Sequence, residues 1–353
     1  MSRLIQKTCT EIEKLDERAM QTAASRWNDV AKPLHSLGLL EDIVIRVAGI
    51  TRDASFRTDP KALVVFCADN GVVEEGVTQT GQEVTATVAE NFLKGETTAA
   101  EMCKKTGAEL IPVDVGMAVD TCVRHDRKTA YGTKNIAKGP AMTRLEAERT
   151  IETGIHIAGG VADRGFRMAA AGEMGIGNTT TASAVASVLL GLPVPMMTGR
   201  GAGLDDERLK NKIRVIERAI EINDPNVDDP IDVISKLGGF DIAAICGFYL
   251  GCAANHIPVL LDGIVSCVAA LAAVRLCPAA NEYLIASHVS AEPAADKLLE
   301  ALGKKAPLNA GMFLGEGTGA VCLFPLIDMA VDIYRSMSTF AEIKVEPYRD
   351  YTQ

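Results

Sequence analysis

Three stretches of this chain are built on apolar runs that do not alternate with polar residues and stop close to an Asp and a Gly: "ALVVFCADNG" (62–71), "AELIPVDVGM" (108–117) and "HIPVLLDG" (256–263). A strand with one wet face alternates apolar and polar residues, so runs without alternation must be covered on both faces. The cover is supplied by helix-patterned stretches such as "QEVTATVAENFLKGETTAAEMCKKTG" (82–107) and "LDDERLKNKIRVIERAIEI" (204–222). The predicted fold is therefore α/β, a Rossmann-like parallel sheet flanked by helices. Such sheets bind ligands beyond the carboxyl ends of their strands, where the Asp and Gly residues of all three runs fall. Taken singly, each Asp is equally a turn or cap residue.

The first thirty and last thirty residues read as helix and stand outside this alternation. They predict a small helical domain built from 1–30 plus 325–353, appended to a large α/β catalytic domain over 31–324. Residues 222–230 read as a capped turn or linker, and 118–139, polar and poorly periodic, as the least ordered segment. A net charge of −10 argues against a nucleic-acid or anionic-membrane surface, so any phosphate must be gripped locally by amides and a few cations. The apolar stretch 240–276 tempts a membrane reading, but Asp241, Asn255, His256, Pro258 and Asp262 interrupt it. Two buried helices flanking a buried strand fit better, and no span is predicted. Nine scattered cysteines, no Cys-x-x-Cys pair and no signal peptide point to reduced thiols in a cytoplasmic protein without a metal.

Four glycine-rich loops carry the chemistry. "GEMGIGNTT" (172–180) lacks the Gly-Lys-Ser/Thr of a Walker loop and the Gly-x-Gly-x-x-Gly spacing of a dinucleotide loop. It offers backbone amides, Thr hydroxyls and a helix N-terminus, together an anion site, or else a plain strand-to-helix turn. Yet Glu173 sits in the same loop. "TGRGAGLDDERLKNK" (198–212) sets Arg200 among glycines and puts Lys212 about two turns into a helix, where it either reaches back as a cation or is solvated. In "ASHVSAEP" (286–293), Ser287 and Ser290 are phosphate donors and His288 reads as a loop histidine, no nucleophile being near it. "FLGEGTGA" (313–320) places Glu316 alone between glycines, as a general base with a raised pKa or as a helix-capping residue. A ligand with a phosphate at one end and a cationic centre at the other satisfies amides and carboxylate together; a pyridinium nucleotide fits.

These motifs, with "GGFDIAAICG" (238–247), "LLDG" (260–263) and "ADNGVVEEGVTQTGQEVTATVAENFLKG" (68–95), resemble the nicotinate-nucleotide–dimethylbenzimidazole phosphoribosyltransferase family in kind and order over roughly residues 10 to 345. The resemblance implies transfer of ribose-phosphate from nicotinate mononucleotide to an aromatic lower-ligand base in cobamide (vitamin B12) assembly, giving the α-ribotide and nicotinate. It implies no cofactor and no metal, a Rossmann-like domain with a small helical one, and a dimer. Glu316 matches the family's catalytic base. Glu173 and Lys212 match residues lining its active site, and Gly175, Gly177, Asn178, Thr179, Thr180, Gly201 and Gly203 its phosphoribosyl loops. Asp262 and Ser290 match further ligand-side positions.

The departures cluster in one place. Asp69-Asn70-Gly71 stands for Asp-His-Gly. Thr78 and Ala86 stand where the resemblance expects a Ser and a Gln that hold dimethylbenzimidazole, and Ala86 offers no hydrogen bond. A different lower ligand is therefore expected: a purine, a substituted benzimidazole or an oxygen-linked phenol, with a homodimer or a heterodimer with a paralogue. The rival reading is a non-catalytic or half-active partner subunit. A nicotinamide-cofactor dehydrogenase is opposed by the missing dinucleotide fingerprint.

Overall fold

The computed structural model describes residues 1–349, so the last four residues of the expected C-terminal segment lie outside the described residues. Strands β1 (Lys61–Ala68), β2 (Glu109–Gly116), β3 (Met168–Met174), β4 (Val259–Leu261) and β5 (Leu284–Ala286) form one sheet in the order β2-β1-β3-β4-β5. Every pairing in it is parallel. Helices α1 (Arg3–Glu11), α2 (Glu17–Asp29) and α3 (Leu39–Thr51) precede β1. Next come α4 (Glu83–Lys94), α5 (Thr98–Thr106) and, after β2, α6 (Arg144–Asp163). Between β3 and β4 run α7 (Asn178–Leu190), α8 (Val194–Met197), α9 (Asp206–Asn223), α10 (Pro230–Leu237) and α11 (Phe240–Ala254). Then α12 (Ile264–Leu276) follows β4, and α13 (Ala295–Ala301) and α14 (Thr318–Ser336) follow β5.

All eight residues of β1 are buried, as a two-face strand requires. Its pleat divides the core: Ala62, Val64, Phe66 and Ala68 pack into one cluster with α6, α11 and α12, while Leu63, Val65 and Cys67 join α2, α3, α5 and α14 on the other face. Residues 240–276 are indeed helix, strand, helix. Among the described residues no helix is long and apolar enough to cross a membrane. Helices α6 and α11 approach so closely that a Cβ on Gly154 would lie 1.9 Å from the Ala244 carbonyl oxygen, and one on Gly247 1.8 Å from that of Ile151.

Asp16 breaks the N-terminal helical stretch in two by capping α2, its carboxylate accepting the Ala19 N–H at 2.9 Å. Helix α1 packs on α6 and α11, α2 on α3, and α14 on α3, α5 and β3. Segment 118–139 carries no helix or named strand. It is nonetheless tied down by a bridge from Arg124 to Val113 and by buried Val123, Ile136 and Ala137. Strand order reverses about β1 and β3, since the chain leaves β1 for β2 on one side and later returns to β3 on the other. The crevice beyond their carboxyl ends is where such a sheet binds ligand.

Candidate active site

Strand β3 ends in that crevice, and Gly175 follows in a turn so tight that a Cβ there would lie 2.3 Å from the Ala68 carbonyl oxygen. Gly177, at φ +93°, starts α7 with no side chain capping it. In that turn the Asn178 and Thr180 N–H groups bond the Gly175 and Gly177 carbonyls at 3.1 and 2.9 Å, so it is the Thr179 N–H, with the positive end of the helix, that is left for an anion. Asn178, in its first turn, spends its amide on two acids: Nδ2 donates to Glu173 and, at 3.0 Å, to Asp241. Burial, then the neighbouring charge of Asp241, raises Glu173 to about 8; burial raises Asp241 to about 6. The rise favours the neutral, protonated form of Glu173, which is how a carboxyl group and an anion site can share one loop.

Lys212, 1% exposed, lies inside the fold rather than in solvent. From α9 its amine donates to Thr179 Oγ1 at 2.9 Å and to the Gly199 carbonyl at 3.2 Å, so the cation stands beside the α7 N-terminus. Burial lowers it to about 8, opposed by the charge of Glu292. Glu292 accepts the Gly201 N–H at 3.1 Å and so holds the 199–203 loop against the strand-β5 side of the crevice. Arg200 is turned back on its own loop, donating to the Leu204 carbonyl at 2.8 Å.

Opposite stands Glu316, a non-glycine residue at φ +58° between Gly315 at +84° and Gly317 at +81°. The turn touches the sheet directly: a Cβ on Gly172 would lie 2.5 Å from the Glu316 carbonyl carbon. Burial pushes the Glu316 carboxyl above the usual carboxylate range; the Ala99 N–H pulls the other way and the charge of Asp262 adds to the rise. Its Oε2 is buried with no hydrogen-bond partner. A raised, underused carboxylate is suited to accepting a proton.

These groups share a cavity of about 610 Å³. Glu173, Gly175, Gly177, Asn178, Thr179, Gly201, Lys212, Glu316 and Thr78 line it, and its apolar wall is Val77, Val84, Val88, Met102, Met174, Ile176 and Leu204. Gln79 closes one side by donating to the Ala202 carbonyl at 3.0 Å and to that of Gly203. Other expected residues stand elsewhere. Ala86 is not on the wall, a correction to its assignment: Val84 and Val88, one helical turn apart on α4, take the cavity face, and a residue two positions from each points away. Thr180 is fully buried behind the turn, and Gly203 meets the cavity only through its Gln79 contact. Ser290 lines a small adjoining recess with Asp262, Glu292 and His288. Asp262 points its oxygens at the α14 backbone.

A family model described as phosphoribosyltransferase matches residues 12–345. The nicotinate-nucleotide–dimethylbenzimidazole phosphoribosyltransferase of Acetivibrio thermocellus is 48% identical over 345 residues, 97% of this chain and 98% of the relative. This chain belongs to the nicotinate-nucleotide–dimethylbenzimidazole phosphoribosyltransferase family. It is an enzyme of the pentosyltransferase type. The phosphoribosyltransferase of that name from Ruminiclostridium cellulolyticum is likewise 48% identical, covering 98% of both chains. A solved structure, CobT from Thermus thermophilus, superposes with a TM-score of 0.88 at 36% identity, covering 94% of this chain and all of that one.

Sequence reasoning on this phosphoribosyltransferase missed two acids. Asp241 is one charge inside the apolar "GGFDIAAICG", and its only signal was that a lone buried carboxylate needs a partner. Glu292 hides in "SAEP", where the serines and histidine drew attention. Among the described residues no His/Cys/Asp/Glu group is placed to hold a metal ion.

Proposed function

We propose that this enzyme transfers ribose-phosphate from nicotinate mononucleotide to an aromatic lower-ligand base in cobamide assembly. The α7 N-terminus, the Thr179 hydroxyl and the Lys212 amine receive the phosphate. The acceptor enters against Val84, Val88 and Met102 with its N–H or O–H toward Glu316. Glu316 takes that proton, the freed lone pair bonds the ribose anomeric carbon, and the ring nitrogen of nicotinate leaves with the electrons of the broken bond. The departing ring is neutral at nitrogen, so it needs no acid. One observation carries the reading: the Glu316 carboxylate, raised and with a buried free oxygen, faces a cavity whose other end is an uncapped helix and a buried lysine.

The apolar wall supports an acceptor with an apolar edge, a methylated benzimidazole or a phenol, over a purine. The amine and ring nitrogens of a purine would lie unpaired against Val and Met. Thr78 gives little help, since its hydroxyl donates to the Thr80 carbonyl at 2.8 Å. Incubation with nicotinate mononucleotide and a mixture of dimethylbenzimidazole, p-cresol and adenine, with ribotides read by mass, tests this. Adenine ribotide as the main product refutes the acceptor class, and no nicotinate release refutes the reaction.

The rival reading, a half-active partner subunit, is opposed by the grouping of Glu316, Glu173 and Lys212 in one cavity. It predicts activity only with a paralogue added. We further propose a cytoplasmic dimer, supported by nine free cysteines and by the half-open apolar face of α14 at Pro325, Leu326 and Met329. A small helical unit from both termini is supported by Trp27 against Tyr334 at 5.3 Å and by Arg26 Nε donating to the Tyr334 carbonyl at 3.0 Å.

A further inference from the structure

Asp262, 3% exposed, follows β4 and turns both carboxylate oxygens to backbone N–H groups. Its Oδ2 accepts the Gly317 N–H at 3.0 Å, and its Oδ1 accepts those of Gly319 at 2.8 Å and Ala320 at 3.2 Å. These belong to the opening turn of α14, whose amides have no partner within the helix. The one remaining amide there, Thr318 N–H, goes to the Gly315 carbonyl at 3.0 Å. No side chain of the helix caps it. Asp262 does so from 55 residues away in sequence, bonding Gly317 at the cap and the second and third residues of the helix.

Asp262 is itself fixed. Its N–H donates to Ser266 Oγ at 2.8 Å, which in turn pairs with the Tyr249 hydroxyl at 2.5 Å. The His288 ring fills the space under Gly319, where a Cβ would lie 2.0 Å from Nδ1. The residue just ahead of the captured Gly317 amide is Glu316, in a backbone conformation that side-chain-bearing residues rarely adopt. Such a conformation persists only when its surroundings impose it. Two contacts do so here: Gly172 admits the Glu316 backbone on one side, and Asp262 draws the next amide inward on the other.

We infer that Asp262 is a positioning residue for the transfer reaction, capping α14 so that the left-handed turn aims the Glu316 carboxylate into the cavity. The inference rests on Glu316 being the base. It replaces the sequence-derived view of Asp262 as a ligand-side group. Glu316 also faces Glu173 from β3 and the Ala99 N–H from α5, and of these neighbours Asp262 adds a charge that raises it.

Asp262→Asn keeps the shape and removes the charge and one acceptor. We expect kcat to fall about 10–100-fold, as for a base displaced by an ångström, with KM for nicotinate mononucleotide and acceptor within about 3-fold. The acid limb of the kcat profile moves to lower pH, because the charge that raised Glu316 is gone. In Asp262→Asn/Glu316→Gln the first change costs nothing further, since Asp262 acts only through Glu316. Additive losses, or a KM raised at unchanged kcat, overturn the inference and put Asp262 on the substrate. Unchanged kcat in Asp262→Asn beside a crippled Glu316→Gln overturns the inference alone, whereas near-normal Glu316→Gln overturns the base assignment instead. Should Asp262→Asn not fold, amide hydrogen exchange on the wild-type chain decides. Protection at Gly317, Gly319 and Ala320 supports the cap, and exchange at solvent rate there overturns it.

Discussion

Replacing Glu173 by Gln removes a carboxyl group that folding forces to take up a proton. Its ordinary value of 4.5 rises to about 8 in the folded chain, burial being the main cause and Asp241 the next. A group raised on folding contributes most at low pH, and that contribution is lost as pH climbs from its unfolded value through its folded one. The loss is about 1.4 kcal/mol per pH unit, so the shift from 4.5 to about 8 amounts to a ceiling of about 5 kcal/mol, which water in the cavity lowers. Gln keeps the oxygen that accepts the Asn178 amide and never charges. The variant and the wild type should therefore unfold at similar denaturant midpoints at pH 5. The variant should pull ahead steadily to pH 8, after which the gap levels off. Removing the Glu173 charge also eases Asp241, adding to the gain. Urea unfolding of both proteins at pH 5, 6.5, 8 and 9 measures this directly. Parallel profiles, or a variant weaker at pH 9, would mean that Glu173 is ionised in the fold and that the shared-loop argument fails.

Glu316→Gln should retain both substrates and lose about 10²–10⁴-fold in kcat, read as nicotinate release; turnover within a few-fold of wild type removes the base. Lys212→Met should raise the nucleotide KM roughly 10- to 100-fold, the worth of a charged hydrogen bond. In the wild type the same KM should climb above about pH 8, where the buried amine loses its proton, and a KM flat from pH 7 to 9.5 counts against that role. Gly154→Ala forces a methyl group into the Ala244 carbonyl and should cost about 1–3 kcal/mol in urea unfolding; an unchanged midpoint would show that α6 and α11 part freely.

The sheet was legible where a strand sits in a run of larger aliphatic residues closed by an Asp and a Gly. "ALVVFCA", "ELIPVDVG" and "VLL" lie in β1, β2 and β4, but the acids at their ends act as turn and cap residues: Asp69, Asp114 and Asp262 accept backbone N–H groups of Ala118, Gly116 and Gly317 and do not line the main cavity. Strand β3 escaped because "MAAAGEM" is made of small residues that pack as readily in a helix, and β5 because its three residues, equal in number to those of β4, are not closed by an Asp-Gly pair. Glu316 and Glu173 stood out as lone carboxylates among glycines. Lys212 did not, since its burial depends on α9 lying against α7, a tertiary fact. Asp262 was found by its motif, but its bonds to the α14 backbone were not, because a side chain that caps a helix 55 residues later has no local signature. Ala86 failed for a simpler reason, helical phase, since a motif aligned by letters ignores which way α4 turns its face.

The contact between Gly172 and the Glu316 backbone has a mechanical consequence. Glu173 is the next residue along the same strand, so both acids are mounted on one stiff piece of sheet, one by its own Cα and the other by backbone touch. Loops around the opening can breathe without altering the gauge between them. The spacing of the two acids is thereby set by the pleat of a buried strand, the part of the molecule with the least freedom to drift.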